Sequence, residues 1–190
     1  MRIIITGGSG LIGRSLVGEL LERGDQVVVL SRRPARARRL LPPAAEVVGW
    51  DPASGGEQLR ELLRGADGVV NLAGADVGRW PWTARWKAAI RDSRLRVTRS
   101  LVEAIGALPA EERPLVLVSA SGTHMYENLD AEPATEAGPI VGDNFLGRVC
   151  LEWEAEAMRA AALGLRVVTL RTSLVAVSYT HLTLPTKRIV

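Results

Sequence analysis

RIIITGGSGLIG, residues 2–13, decides how the rest of the chain is read. Residues 3–6 make a short apolar strand that runs directly into a turn of glycines, and a helix opens near Leu11. Gly7, Gly10 and Gly13 recur as G-x-x-G-x-x-G. Between a strand and a helix, such a turn is the setting in which backbone cradles the pyrophosphate of a dinucleotide. Gly7 permits a tight turn that a Cβ would obstruct. Gly10 lets the backbone approach the phosphates, and Gly13 lets the helix pack closely on the strand. Gly8, Ser9, Leu11 and Ile12 complete the cradle. Free N–H groups at the helix start, with the helix dipole behind them, favour an anion there. The alternative is a glycine turn that holds no ligand.

Strand and helix patterns continue outward from this turn. Leu11, Ile12, Leu16, Val17, Leu20 and Leu21 form an apolar stripe over residues 11–23, closed by Gly24. Residues 26–30 (QVVVL) are a β-branched run, hence a buried strand. Strand, helix and strand within about 30 residues make a right-handed βαβ unit. In versions that take NAD, the second strand ends on an acid that hydrogen-bonds the ribose hydroxyls. Here that end reads Ser31, Arg32, Arg33. A carboxylate would repel a 2′-phosphate, whereas a guanidinium holds one through charge-assisted hydrogen bonds. The expected cofactor is therefore NADP rather than NAD, with Arg32 the first candidate and Arg33 the second.

Residues 46–50 (EVVGW) predict a third strand leading to Asp51. That acid is either an acceptor for the adenine amino group or a turn aspartate before Pro52. A short helix over 58–63 precedes a fourth strand at 68–72, and Leu72, Ala73 and Gly74 give a small-residue turn that backbone could bring to the cofactor. Trp80, Trp82 and Trp86 follow, read as packing anchors or as a surface for a ligand to stack on. A long helix from Thr83 to Ile105 turns Ile90, Leu95, Leu101, Val102 and Ile105 inward and leaves Arg85, Lys87, Arg91 and Arg94 on other faces. A fifth strand at 115–119 leads into a long loop over 120–139, a candidate substrate loop. A helix over 144–163, with Val149, Trp153, Ala157 and Met158 on one side, and a sixth strand at 166–170 complete the pattern.

Composition bounds the function. The chain of 190 residues can make one good-sized domain or a domain plus a fragment, and at 47% hydrophobic and 24% charged it is globular rather than disordered. No apolar run reaches the roughly 20 residues of a membrane span, so no membrane partner is expected. The single Cys150 rules out an internal disulfide and fits a reducing, cytoplasmic setting. The net charge of +3 owes much to Arg32, Arg33, Arg36, Arg38 and Arg39. That cluster lacks interleaved aromatics and fills one short segment, so its distal part reads as a solvated helix face and no nucleic acid is expected. No metal site is evident.

The last residues change character. Residues 177–190 (VSYTHLTLPTKRIV) contain no alanine or glycine, and VSYTHL resembles a translated sequencing adapter. The expected native domain therefore spans residues 1–176, with a non-native tail after it; a divergent tail of the protein's own is the alternative. His181 carries no weight as a catalytic residue.

Taken in order, TGGSGLIG, Ser31-Arg32, residues 71–74 (NLAG), the Arg79-Trp80…Lys87…Ser93-Arg94 segment, residues 119–121 (SAS), Phe145-Leu146 with Trp153-Glu154, and residues 170–172 (LRT) resemble the atypical extended short-chain dehydrogenase/reductase group often labelled "epimerase family protein". The resemblance covers residues 1 to about 175. It implies an α/β fold, a Rossmann doubly wound parallel sheet in the order 3-2-1-4-5-6, followed by a C-terminal substrate lobe that is missing here. It also implies a Ser–Tyr–Lys relay, in which a lysine charge tunes a tyrosine acid/base. Ser121 matches the serine. At the Tyr-x-x-x-Lys positions stand Phe145 and Val149, which can carry neither role. Tyr126 matches a tyrosine of the family's Gly-Tyr-Tyr-Gly loop, here His124-Met125-Tyr126-Glu127. Either Tyr126 or His124 could supply a proton, though the sequence shows no activating partner for them. The resulting expectation is an NADP-dependent oxidoreductase or sugar-nucleotide epimerase acting by hydride transfer on an unknown small molecule, with residues 1–190 inactive alone. The alternative is an NADP(H)-binding sensor or scaffold without turnover.

Overall fold

The computed structural model describes residues 1–54, 56–126 and 142–173, with positions 135, 136, 138 and 140 between them. The boundary expected at residue 176, the tail after it and half of the expected substrate loop lie outside the described residues.

Six parallel strands form one sheet in the order β3-β2-β1-β4-β5-β6. They are β1 (Arg2–Thr6), β2 (Gln26–Ser31), β3 (Glu46–Gly49), β4 (Gly68–Asn71), β5 (Val116–Gly122) and β6 (Arg166–Thr172). The helices are α1 (Leu11–Glu22), α2 (Pro34–Arg38), α3 (Glu57–Leu63), α4 (Ala84–Gly106) and α5 (Phe145–Met158). The chain leaves β1 for β2 on one side and returns to pair β4 on the other. This reversal opens a crevice at the carboxyl ends of the strands, where doubly wound sheets bind their ligands.

The β-branched runs explain the layers. Alternate residues of β1 and β2 face opposite sides, so Ile3, Ile5, Val27 and Val29 pack with Val17 and Leu20 of α1. Ile4, Val28 and Leu30 pack with Leu101, Val102 and Ile105 of α4 on the other face. Both faces are covered, as a parallel sheet requires.

Several elements differ from the sequence reading. The α1 stripe is narrower, because Ile12 is exposed and only Gly13, Val17 and Leu20 are buried. The fifth strand extends three residues further, to Gly122, because β6 pairs with it through Ala120↔Leu170, Ser121↔Arg171 and Gly122↔Thr172. A 3₁₀ turn over Thr123–Met125 follows, in place of a loop starting at 120. Helix α5 gives way to a 3₁₀ turn at Arg159, which leaves Met158 exposed.

A fully satisfied polar hub joins the two halves of the sheet to α4 and α5. Asn71 is completely buried at the end of β4. Its Oδ1 accepts from Thr6 Oγ1 at 2.7 Å, and its Nδ2 donates to Thr98 Oγ1 at 2.8 Å. Thr98 Oγ1 also accepts from Trp153 Nε1 at 2.9 Å and donates to the Arg94 carbonyl at 2.8 Å. Buried polar groups are tolerated when each is partnered, and such a set fixes one arrangement of its elements.

Candidate functional site: a dinucleotide cleft

A cleft of about 380 Å³ opens along the carboxyl ends of β1, β2 and β4. Gly7, Ser9 and Gly10 line it from the glycine turn, Ser31, Arg32 and Arg33 from the end of β2, and Leu72, Ala73 and Gly74 from the turn after β4. The structure thus brings together three stretches that are up to 67 residues apart in the chain, counting from Gly7 to Gly74.

Gly7 sits at φ +73°, in the region that favours glycine, and a Cβ there would stand 2.6 Å from the Leu72 carbonyl carbon. The turn and the loop after β4 are therefore in backbone-to-backbone contact. At Gly13 a Cβ would stand 2.5 Å from the Gly7 carbonyl oxygen and 2.6 Å from Gly8 Cα. The close approach at Gly13 is of the helix on the turn that leaves β1. Gly10 N-caps α1 in extended conformation with no side-chain hydrogen bond, so the first-turn N–H groups have no capping partner. Gly8, Leu11, Ile12 and Gly13 do not line the cleft; they shape it from behind.

The adenosine end is richer than the sequence suggested. Arg36, on α2, is exposed and lines the cleft beside Arg32 and Arg33. No ion pair among the described residues engages any of the three guanidinium groups. Three uncompensated cations around one cleft mark a place for an anion. Ser31 Oγ accepts from Arg33 N at 3.1 Å, which sets the direction of the chain as it enters α2. Leu30, Ala37, Leu40, Trp50 and Pro52 add apolar walls. Trp50 is buried, and its Nε1 has no hydrogen-bond partner among the described residues. Asp51 lies outside this cleft, against an adjoining cavity that it shares with Arg32, Ala73 and Gly74. Its Oδ1 accepts from Ala53 N at 2.9 Å, the geometry of a turn aspartate.

Beyond β4, Arg94 departs from its expected place on an outer face of α4. It is half-buried, packs its guanidinium against Gly74 and donates to the Ala75 carbonyl at 3.1 Å and the Ile90 carbonyl at 2.9 Å. Burial pulls its pKa below the usual arginine value. Its Cζ also lies 5.2 Å from the Trp153 ring centroid. Arg94 thereby clamps the turn that lines the cleft.

Ser121 lies within β5, as its penultimate residue, rather than past the strand. It is buried, and its Oγ has no hydrogen-bond partner among the described residues. It lies close enough to Glu154 and Cys150 to influence both. Burial alone would push the Glu154 carboxyl up, but the Arg171 guanidinium bonded to it, with the Ser121 hydroxyl close by, outweighs burial and holds the carboxyl below the usual range. Burial raises the Cys150 thiol. Phe145 begins α5 with its ring edge-on to Trp82, centroids 5.9 Å apart, and Lys87 Nζ stands 5.5 Å from its ring centroid. Val149 is buried in the core. Tyr126, read from sequence as lacking a partner, has one: its Oη accepts from Arg171 Nη1 at 2.6 Å. Among the described residues, no group of three or more His, Cys, Asp or Glu side chains could hold a metal ion, and no helix is long and apolar enough to cross a membrane.

The sheet order, the glycine turn at the switch point and the cationic end of β2 define a Rossmann domain built for a dinucleotide. The model of the NAD dependent epimerase/dehydratase family matches residues 3–189. The chain belongs to that family. It is 36% identical over 160 residues to the chloroplastic SDR39U1 homolog, an epimerase family protein of Arabidopsis thaliana, covering 84% of this chain and 45% of that one. It is 33% identical over 172 residues to the epimerase family protein YfhF of Bacillus subtilis, covering 90% and 54%. Among solved structures, it resembles human epimerase family protein SDR39U1 (isoform 2) with NADPH, at TM-score 0.73 and 31% identity, covering 90% of this chain and 53% of that one. The UDP-glucuronic acid 4-epimerase of Bacillus cereus shares the fold at TM-score 0.74 and 21% identity, covering 90% and 56%. The chain spans about half the length of the curated relatives it matches.

Proposed function

We propose that the protein binds NADP(H) and works as an oxidoreductase or epimerase-like enzyme that moves hydride to and from a small-molecule substrate. The observation that carries this reading is the cleft itself. Its glycine turn leaves helix N–H groups uncapped for a pyrophosphate, and Arg32, Arg33 and Arg36, without an ion-pair partner among the described residues, stand where a 2′-phosphate would lie. The human relative solved with NADPH supports the same choice of cofactor. Leu30, Ala37, Leu40 and Trp50 would enclose the adenine, and Leu72, Ala73 and Gly74 would carry the chain of the cofactor across the switch point. Bound NADPH supplies hydride from its nicotinamide ring. Ser121, with its buried and unpartnered hydroxyl, would hold the substrate oxygen. Phe145 and Val149 remove the usual tyrosine–lysine pair, so any proton must come from elsewhere.

The test is titration of the full-length protein with NADPH and NADH, followed by a panel of carbonyl substrates. Tighter NADPH binding with substrate-dependent loss of its absorbance supports the reading. Failure to bind either cofactor removes it. Phe145 and Val149 favour a second reading, an NADP(H)-binding sensor or scaffold, which predicts tight binding and no turnover. The protein is read as cytoplasmic, from its single cysteine and lack of a membrane-spanning run.

A further inference from the structure

The sheet edge at β5 and β6 gathers polar groups that the cofactor cleft does not use. Arg171 sits on β6 directly across from Ser121 on β5. Its Nε and Nη2 each donate to a Glu154 carboxylate oxygen at 2.8 Å, a two-pronged bond to α5. Its Nη1 donates to Tyr126 Oη at 2.6 Å and to the Glu136 carbonyl at 3.2 Å. The Arg171 and Glu154 side chains are only 20% and 12% exposed. A planar guanidinium gripped on two edges has one orientation, so it holds the phenol in one place.

The direction of these bonds matters. A guanidinium only donates. At this contact the Tyr126 oxygen must accept, which leaves its own O–H free to donate. Among the described residues no acceptor takes that proton. The arrangement is a phenol with a fixed cation behind its oxygen and an unspent proton. It stands at the carboxyl end of the sheet, on the β5–β6 side of the switch point, past the pyrophosphate turn and opposite the arginine cluster.

We infer that Tyr126 is the proton donor of the hydride-transfer reaction, with Arg171 supplying the cation behind its phenol and Glu154 anchoring Arg171. This rests on the function proposed above. Tyr126 gives its phenolic proton to the substrate carbonyl oxygen as the carbonyl carbon accepts hydride from NADPH. The C=O π pair moves onto that oxygen and becomes the new O–H bond, and the cofactor leaves as NADP⁺. The phenolate left behind faces the Arg171 guanidinium until water returns the proton. Oxidation of an alcohol runs the same exchange backwards. Tyr126 is the catalytic residue; Arg171 and Glu154 are positioning residues.

The experiment compares Tyr126→Phe, Arg171→Lys and Arg171→Met in the full-length protein, using NADPH and the carbonyl panel. Tyr126→Phe keeps the Arg171–Glu154 pair, so the fold has no reason to change. It should lose about 100-fold or more in kcat, with NADPH affinity unchanged and KM moved less than about threefold. Arg171→Lys, which retains a cation, should keep more turnover than Arg171→Met. A second readout needs no turnover. With ¹³Cζ-tyrosine labelling, the resonance absent from Tyr126→Phe belongs to Tyr126. It should move when NADP⁺ and acetone are added together, and not with acetone alone. Wild-type turnover by Tyr126→Phe, or a Tyr126 resonance that ignores the ternary mixture while NADP⁺ binds, overturns the inference. Tight NADPH binding with no turnover by the wild type overturns it in favour of the scaffold reading. No NADP(H) binding at all removes the parent reading as well.

Discussion

Thr98→Val is the sharpest probe of how the fold holds its site. Valine keeps the shape of threonine but cannot accept or donate. Thr98 Oγ1 accepts two hydrogen bonds, from Asn71 Nδ2 and Trp153 Nε1, and donates one to the Arg94 carbonyl. The Trp153 N–H would lose its partner in a buried site, at a cost of about 1–3 kcal/mol. Asn71 Nδ2 keeps a long contact to Ser119 Oγ at 3.5 Å, so its loss is smaller, about 1 kcal/mol. The Arg94 carbonyl keeps its helical bond and loses little. Burying the extra methyl returns about 0.8 kcal/mol. The net loss is about 1–3 kcal/mol, a large share of the roughly 5–15 kcal/mol that holds a domain together. Urea unfolding of the purified chain, with the slope unchanged, measures it. A cycle with Trp153→Phe should show losses less than additive by about 1 kcal/mol, since both changes break the same bond. A Thr98→Val loss below about 0.5 kcal/mol, or strict additivity in the cycle, would refute the hub.

Other consequences are open to direct measurement. Arg36→Ala should weaken NADPH about tenfold while changing NADH less than about threefold, because only NADPH carries the phosphate it would face; equal losses by calorimetry would show that Arg36 is a solvated surface arginine. Gly13→Ala places a Cβ 2.5 Å from the Gly7 carbonyl oxygen, so it should abolish cofactor binding, and a variant that still binds NADPH like the wild type would contradict the packing of α1 on the turn. Hydrogen bonds from the N-terminal ammonium and from Arg23 hold the Asp25 carboxyl below its usual value. Its folded pKa lies under its unfolded one, so its contribution is present above the unfolded value and lost as pH falls through the folded value. Asp25→Asn should therefore flatten the acid side of the stability curve, below about pH 4, and an unchanged curve would contradict the contact. Cys150 is buried with its thiol pushed up, so a thiol reagent at neutral pH should label it only on unfolding. Rapid labelling of the folded protein would instead make the cysteine a candidate redox sensor.

The parts of the fold governed by local pattern were legible in the sequence. The run from Ile3 to Leu30 combines β-branched strands, a glycine turn and an apolar helix stripe, and each level points to the same βαβ unit. The cationic end of β2 was legible for the same reason, since Arg32 and Arg33 follow directly on a strand. Arg36 was not, because α2 has five residues, too few for a periodicity to tell one face from another. Arg94 misled in the opposite direction. Its position points off the core stripe of α4, but its long side chain reaches back to Ala75, which no spacing rule records. The end of β5 was misread because residues 119–122, SASG, have the composition of a loop; pairing with β6, not side-chain propensity, makes them strand. The Tyr126–Arg171 contact joins residues 45 apart and depends on that same pairing. Tertiary contacts of this kind lie beyond any local reading.

The measurement that bears most directly on the account is calorimetric titration of the full-length protein with NADPH and with NADH, on wild type and Arg32→Ala. Wild type should bind NADPH at least about tenfold more tightly than NADH, and Arg32→Ala should erase most of that difference while leaving NADH almost unaffected. Equal affinity for the two cofactors, or no heat with either, would contradict it.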